Sequence, residues 1–237
     1  LTSSQKDLLA RWLDQMINEH KPLAYILGSV PFLDLDILIE PPILIPRPET
    51  EWWVDLLLKK FNSQKQAILK ILDLCSGSGC IGLALSKYFS NSRVTLVDIS
   101  SQACDLIAKN IKYNRLNNAH VIQSDLYNQL SNQKFDLIVA NPPYVPADAY
   151  SRLDLSVRLW EDRKALVSPQ SDLTIISKII DLAPAYLQKK DDQASQLWVE
   201  IDMTQGAQVC KLMQTNFGQV ELIVDQFERQ RVVVGKN

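Results

Sequence analysis

Between Ile68 and Asp98 the chain spells out a strand, a glycine turn, a helix and a second strand, and that order admits few folds. Ile68-Leu69-Lys70-Ile71-Leu72-Asp73-Leu74 reads as a buried strand. Cys75-Ser76-Gly77-Ser78-Gly79-Cys80-Ile81-Gly82 is a tight turn, Leu83 to Phe89 is helical, and Val94-Thr95-Leu96-Val97 is a strand closed by Asp98. A strand that feeds a helix through glycines and returns to a strand opens a doubly wound, mostly parallel sheet, an α/β fold that binds ligands at the carboxyl ends of its strands. Asp98 follows the glycines by about 20 residues, the place for a carboxylate on ribose hydroxyls. The turn lacks the full Gly-x-Gly-x-x-Gly spacing, and Asp73 at the end of the first strand would repel a pyrophosphate. A nucleoside without phosphate, carrying a cationic or amino group near Asp73, fits better. S-adenosylmethionine is such a ligand.

Two later strand ends add chemistry. Val121-Ile122-Gln123-Ser124-Asp125-Leu126 reads as a third strand whose Asp125 could accept from an adenine amino group; the plainer reading is a helix or turn cap. The fourth strand, Phe135 to Ala140, stops at Asn141-Pro142-Pro143-Tyr144. Two prolines cannot extend a ladder or enter a helix interior, so the chain leaves the sheet in a stiff, extended corner. That corner presents the Asn141 carboxamide, the Pro142 carbonyl and the face of Tyr144. Two acceptors and a ring match a planar NH2 group, which donates two in-plane hydrogens. Asn-Pro alone is ordinary turn chemistry, but all four residues at a strand end read as function.

The rest of the chain narrows the class. At 237 residues and a formal charge of −2 there is no global basic field to attract a nucleic-acid backbone. Four cysteines, Cys75, Cys80, Cys104 and Cys210, match neither a zinc knuckle nor a disulfide framework, so reduced thiols in an intracellular protein are expected, and no metal site. No charge-free apolar run approaches the ~18 residues of a membrane span. The chain begins at Leu1, so any targeting segment lies outside it.

Leu8, Leu9, Trp12, Leu13 and Met16 form one face of a helix that ends before Pro22, to be packed on the main domain or in a bundle. Phe32 to Ile39 alternates, and with Ile43-Leu44-Ile45 beyond Pro41-Pro42 it predicts a β-hairpin. Pro46-Arg47-Pro48-Glu49-Thr50-Glu51 opens a helix that runs to Phe61. Arg47 either caps a turn or holds the catalytic loop or substrate. Val145 to Pro169 has no clean period and reads as a mobile flap or docking loop. A helix over 173–187, a strand over 196–201, a helix over 205–214 and a closing hairpin of 220–224 with 231–234 complete the chain.

With Asp73 to Gly79, Asp98 and Asn141 to Tyr144 in place, the chain resembles the class I S-adenosylmethionine-dependent methyltransferases. Pro22-Leu23-Ala24-Tyr25-Ile26-Leu27-Gly28 and Leu44-Ile45-Pro46-Arg47-Pro48-Glu49-Thr50-Glu51 make it similar to one group of these, the HemK/PrmC family of peptide chain release factor glutamine N5-methyltransferases, from Pro22 to Val234. The resemblance implies a Rossmann-like, mostly parallel seven-stranded sheet with a C-terminal antiparallel hairpin, preceded by a helix and a β-hairpin. Residues 1–28 would be the last part of a helical bundle that grips the substrate protein, 29–48 a β-hairpin linker and 49–237 the catalytic domain. Cys75, Ser76, Gly77, Ser78 and Gly79 would form the cofactor loop, with Asp98 at the ribose and Leu126 beside adenine. Asn141, Pro142, Pro143 and Tyr144 would hold the substrate glutamine, with Asn141 also near the cofactor. The implied cofactor is S-adenosyl-L-methionine, released as S-adenosyl-L-homocysteine. The implied partner is a release factor, with no direct nucleic acid, no membrane and a monomeric enzyme. Pro41-Pro42 and Glu51-Trp52-Trp53-Val54 look more like the mitochondrial branch, so a mitochondrial matrix is favoured over a bacterial cytoplasm.

Three positions depart from the family pattern: Cys75 stands for a usual Gly, Leu126 for an aromatic and Asp162 for a proline. Two other readings share the same corner. A nucleic-acid adenine-N6 methyltransferase would present the same NH2 to it after base extrusion, but would need a phosphate-binding surface. A binding scaffold with a decayed pocket would account for Cys75 and Leu126.

Overall fold

The computed structural model describes residues 1–168, 171, 173–188 and 195–236; Pro169, at the end of the expected flap, and Asn237 lie outside them. In chain order come α1 (Ser3–Asn18), α2 (Leu23–Leu27), β1 (Ser29–Phe32), β2 (Leu35–Leu38), α3 (Pro48–Lys60), β3 (Lys70–Leu74), α4 (Cys80–Tyr88), β4 (Arg93–Asp98) and α5 (Ser101–Tyr113). There follow β5 (Ala119–Gln123), β6 (Leu137–Ala140), α6 (Leu155–Trp160), α7 (Arg163–Leu166), α8 (Thr174–Tyr186), β7 (Gln196–Glu200), α9 (Gly206–Met213), β8 (Gln219–Val224) and β9 (Gln230–Lys236).

Among the described residues one sheet carries seven strands in the order β5-β4-β3-β6-β7-β9-β8. The first five are parallel, while β9 runs antiparallel to both β7 and β8. This is the α/β, mostly parallel architecture of the class I methyltransferases with its antiparallel C-terminal hairpin. Alternate residues explain why the strands read as unbroken apolar runs. Ile71, Val139 and Trp198 bury on the side of α3 and α4, whereas Leu72, Ile138 and Val199 bury on the side of α8 and α9. Both faces are covered, so neither can be polar. The Trp53 and Trp198 rings stack with centroids 6.4 Å apart and tie α3 to β7.

Several boundaries differ from those the sequence suggests. The hairpin is β1 with β2, turning at Leu33-Asp34, and residues 43–45 form no strand. The turn carries no glycine: Leu33 takes φ +50° and donates its N–H to Glu51 Oε1 at 2.6 Å, so a helix 18 residues away supplies what local chemistry lacks. Ile43 and Ile45 instead bury beside Tyr25 and Leu106. β5 ends at Gln123, short of Leu126, because Leu126 turns at φ +47° into the core. The stripe on α1 is exposed at Leu8, Leu9, Leu13 and Met16, so it does not pack on the sheet domain.

Residues 145–168 are not a free flap. A 3-10 turn at Tyr150–Arg152, then α6 and α7, give them structure. Val145 bridges Val167, the Asp162 N–H donates to Pro42 O at 2.8 Å, and Trp160 Nε1 donates to Glu19 O at 2.9 Å. Aperiodic sequence hid these elements because both helices are too short to show a repeat.

At Gly82 two effects oppose each other. Alanine is the better helix former by about 1 kcal/mol, but a Cβ there would sit 2.7 Å from Leu96 Cδ2 and 2.9 Å from Asp73 Oδ2. Overpacking of that kind costs roughly 1–3 kcal/mol. Gly82→Ala is therefore expected to lower stability in urea titrations; a stabilised variant would show that the helix–strand gap is looser than described.

Candidate active site

The sheet grows outward from β3 in both directions, so its switch point lies between β3 and β6, where open α/β sheets bind ligands. Leu74 pairs with Val97 on one side and Ala140 on the other, and Ala140 pairs with Val199. Cys75, Asn141 and Glu200 therefore leave the sheet along one edge, next to Asp98.

The loop after β3 is held from within. Ser76 Oγ donates to Asp73 O (2.8 Å) and accepts the Val97 N–H (3.0 Å), while Asn110 Nδ2 donates to Ser78 O (3.0 Å). Gly77 takes φ +54° with open space where a Cβ would point, and Gly79 takes φ +84° at the start of α4. Asp98 accepts from the N–H groups of Gly77 (2.8 Å) and Ser100 (2.9 Å). Beyond it, the apolar side chain of Ile99 is 67% exposed. Asp73 is fully buried: Oδ2 accepts the Gly82 N–H at 2.9 Å, and Oδ1 has no partner. Burial lifts its pKa from 3.8 to about 7, against the pull of the Gly82 hydrogen bond.

On the far side of the crevice the Asn-Pro-Pro-Tyr corner is tied to a buried carboxylate. Asn141 Nδ2 donates to Thr50 Oγ1 (3.2 Å), and Thr50 Oγ1 donates to Glu200 Oε2 (2.8 Å). Trp53 Nε1 donates to the same Oε2 (2.6 Å), and the Tyr144 hydroxyl donates to Oε1 (3.1 Å). Gln205 Nε2 holds the Tyr144 carbonyl at 3.1 Å. Glu200 is 2% exposed, and burial raises its pKa although three side-chain donors oppose the rise. Among the described residues nothing claims Asn141 Oδ1 or the Pro142 carbonyl. Two acceptors on a rigid corner can receive the two hydrogens of one NH2 group.

Arg47 precedes Pro48, the first residue of α3. It forms the N-cap of α3 and pairs with Glu161 Oε2 at 2.5 Å, fixing the end of α6. Burial raises the Glu161 pKa, the neighbouring guanidinium lowers it, and Glu161 Oε1 is left buried without a partner.

A family profile described as "Methyltransferase small domain" matches residues 54–179. A release factor glutamine methyltransferase of Streptococcus pneumoniae is 34% identical over 236 residues, 99% of this chain and 81% of that one. The chain belongs to the release factor glutamine methyltransferase family. Another relative, the mitochondrial N(5)-glutamine methyltransferase MTQ1 of Saccharomyces cerevisiae, is 36% identical over 68% of this chain and 54% of its own length. Among solved structures, the hMettl16 catalytic domain in complex with an RNA hairpin shares the fold, with TM-score 0.65, 14% identity, and coverage of 85% of this chain and 75% of that one.

Within this family frame the residues singled out from the sequence fall into groups. Asp73, Cys75, Gly77, Asp98, Asn141 and Tyr144 lie at or just past the carboxyl ends of β3, β4 and β6. Ser76 and Ser78 are buried and shape the loop from behind, while Pro142 is buried beneath the corner and Pro143 half-buried beside it. Asp125 is exposed, two residues past the end of β5. Leu126 is 8% exposed and packs in the core. Cys75 keeps a left-handed φ of +57° despite its Cβ, at a cost of about 1–2 kcal/mol. Asp162 accepts the Lys164 N–H at 2.9 Å as the cap of α7 and donates its own N–H, which proline could not do. Of the two readings of Arg47, the contact with Glu161 answers to the holding of a loop. Thr50, Trp53, Ile99 and Glu200 were not predicted for the site. Thr50 and Trp53 hid in a helical stripe and Glu200 at the end of an apolar strand; a carboxylate closing that strand was the available signal.

The Asp73 shift sets a pH dependence. An acid whose folded-state pKa lies above its unfolded value holds a proton that the unfolded chain has released, so its contribution to stability falls as pH climbs from 3.8 to about 7. Asp73→Asn removes that slope. Its stability relative to wild type should rise across the window, by up to about 4 kcal/mol near neutral pH, in denaturant titrations of cofactor-free protein; parallel stability curves would contradict the assignment.

Proposed function

We propose that this chain transfers a methyl group from S-adenosyl-L-methionine to the N5 nitrogen of the glutamine in a Gly-Gly-Gln segment of a peptide chain release factor, leaving S-adenosyl-L-homocysteine. The observation that carries it is the pair of unclaimed acceptors, Asn141 Oδ1 and Pro142 O, on the switch-point edge of a fold whose relatives are named for glutamine methylation.

The residues present fit the cofactor. Asp73 Oδ1 is a buried acceptor lacking a donor, Gly77 leaves open space, Asp98 offers further lone pairs at the second strand end, and Ile99 presents an apolar face. When bound, the cofactor supplies an electrophilic methyl on a sulfonium. Asp73, the 75–79 loop, Asp98 and Ile99 would hold it, with Asp125 and Leu126 beside the adenine.

The protein's task is alignment. A glutamine amide nitrogen is a weak nucleophile because its lone pair is delocalised into the carbonyl. Asn141 and Pro142 accept both amide hydrogens, and Tyr144 supports the flat group, so orientation and charge placement lower the barrier. No general base is required, because the nitrogen becomes far more acidic once methylated and loses its proton to water. Glu200 is unsuited to that role, since both its oxygens are engaged behind Thr50 and Tyr144.

The partner is proposed to be a release factor met by a monomeric enzyme without nucleic acid. A mitochondrial site of action draws on the Pro41-Pro42 and Glu51–Val54 segments and on the yeast relative. Bacterial relatives such as the streptococcal one support a bacterial cytoplasm. Among the described residues no helix is long and apolar enough to cross a membrane.

Incubation with labelled cofactor and candidate release factors, followed by peptide mass spectrometry, tests the assignment: one methyl on the glutamine is expected. Asn141→Ala should cut turnover on the order of 100-fold to 1,000-fold and leave cofactor affinity within a few-fold. Methyl transfer to adenine in nucleic acid, with none to glutamine, would overturn it.

A further inference from the structure

The Asn141 carboxamide has two nearly isosteric ends, and only one serves the reaction. If its oxygen faced Thr50, its NH2 would face the substrate NH2, donor against donor, and the site would reject the group it must hold. Something has to choose the end.

The choice can be traced through three bonds. Trp53 Nε1–H is a donor without acceptor capacity, and it points at Glu200 Oε2 from 2.6 Å. As a carboxylate Glu200 has no hydrogen to give, so Oε2 can only accept, from the indole and from Thr50 alike. Thr50 Oγ1, 2.8 Å from the same Oε2, must then spend its single hydrogen there. Its oxygen is left with lone pairs only, and the Asn141 atom 3.2 Å away must be the donor, Nδ2. Oδ1 is thereby turned away from Thr50. All four groups are at least half-buried, and Thr50, Trp53 and Glu200 are almost fully so, so no water competes to scramble the order.

We propose that Thr50 and Glu200 are positioning residues that lock the Asn141 carboxamide oxygen toward the substrate and make the corner selective for NH2-bearing groups. The inference rests on the glutamine reading above and adds the device that sets its direction. A carboxylate side chain, such as glutamate in place of glutamine, would meet two fixed acceptors and be turned away. The segment around Thr50 gains a reason for its composition: Glu49 and Glu51 suit the first turn of a helix, whereas Thr50 alone points inward to the corner.

Steady-state kinetics on the wild type, Thr50→Val, Thr50→Ser, Asn141→Ala and the Thr50→Val/Asn141→Ala double variant tests the relay. Valine keeps the volume and removes the hydroxyl. It should lower kcat on the order of 10-fold to 100-fold with cofactor affinity nearly unchanged, and lower the thermal midpoint, because the buried Glu200 loses a donor. Serine should restore kcat to within a few-fold. The double variant should be no slower than Asn141→Ala alone, because both changes abolish the same oriented acceptor. Near-normal kcat in Thr50→Val, failure of serine to rescue, or additive losses in the double variant would overturn the proposal. Should the valine variant lose its thermal transition, Thr50→Ala serves in the same cycle. If the wild type methylates no release factor but does methylate adenine, the substrate reading fails on its own. The relay is then scored with the same variants on that NH2 group.

Discussion

One buried carboxylate joins the parts of this molecule that must agree for it to work. Glu200 sits where β7 leaves the sheet and gathers donors from α3, through Thr50 and Trp53, and from the β6 corner, through Tyr144. Its burial is unfavourable by itself, since a desolvated carboxylate is strongly destabilised unless its lone pairs are used. Here three side chains use them, with Arg231 adding a favourable charge from β9. The result is that the helix opened by Pro48, the strand ending at Ala140 and the strand ending at Glu200 cannot shift relative to one another without stranding that charge.

The same logic recurs on a smaller scale around the crevice. Asp73 is fully buried with one oxygen satisfied, and Glu161 has one oxygen paired with Arg47 and one left over. Each carries a pKa raised by burial. Unsatisfied buried oxygens are rare in folded proteins. Asp73 lies near the carboxyl end of β3, in keeping with the proposed cofactor, which brings its own positive charge. Glu161 fastens α6 to the segment before α3 and so gives the 145–168 region a fixed seat.

Backbone strain follows the same geography. Cys75 and Leu126 hold left-handed conformations without being glycine, at the ends of β3 and just past β5. Such strain is held by surrounding packing. Leu126 and Tyr127 are buried in the core beneath the crevice, and Cys75 packs against the same cluster. The loop thus keeps the shape that a glycine would have adopted freely, and Gly77 remains the residue that opens onto space.

Much of this was legible in the amino-acid order. The alternation of strands and helices, the glycine turn, the acid at the end of β4 and the proline-stiffened corner are local signals, each set by backbone freedom or by period, and they were enough for the fold and the reaction class. The hairpin turn at Leu33, the end of β5 and the seating of residues 145–168 were not legible, because each depends on a partner distant in sequence: Glu51, the core under Leu126, and Pro42 with Arg47. The orientation of the Asn141 amide belongs to the same group. Sequence supplied a carboxamide at a rigid corner; only tertiary structure, by burying an acceptor-only oxygen between an indole and a hydroxyl, decided which end of it faces the substrate.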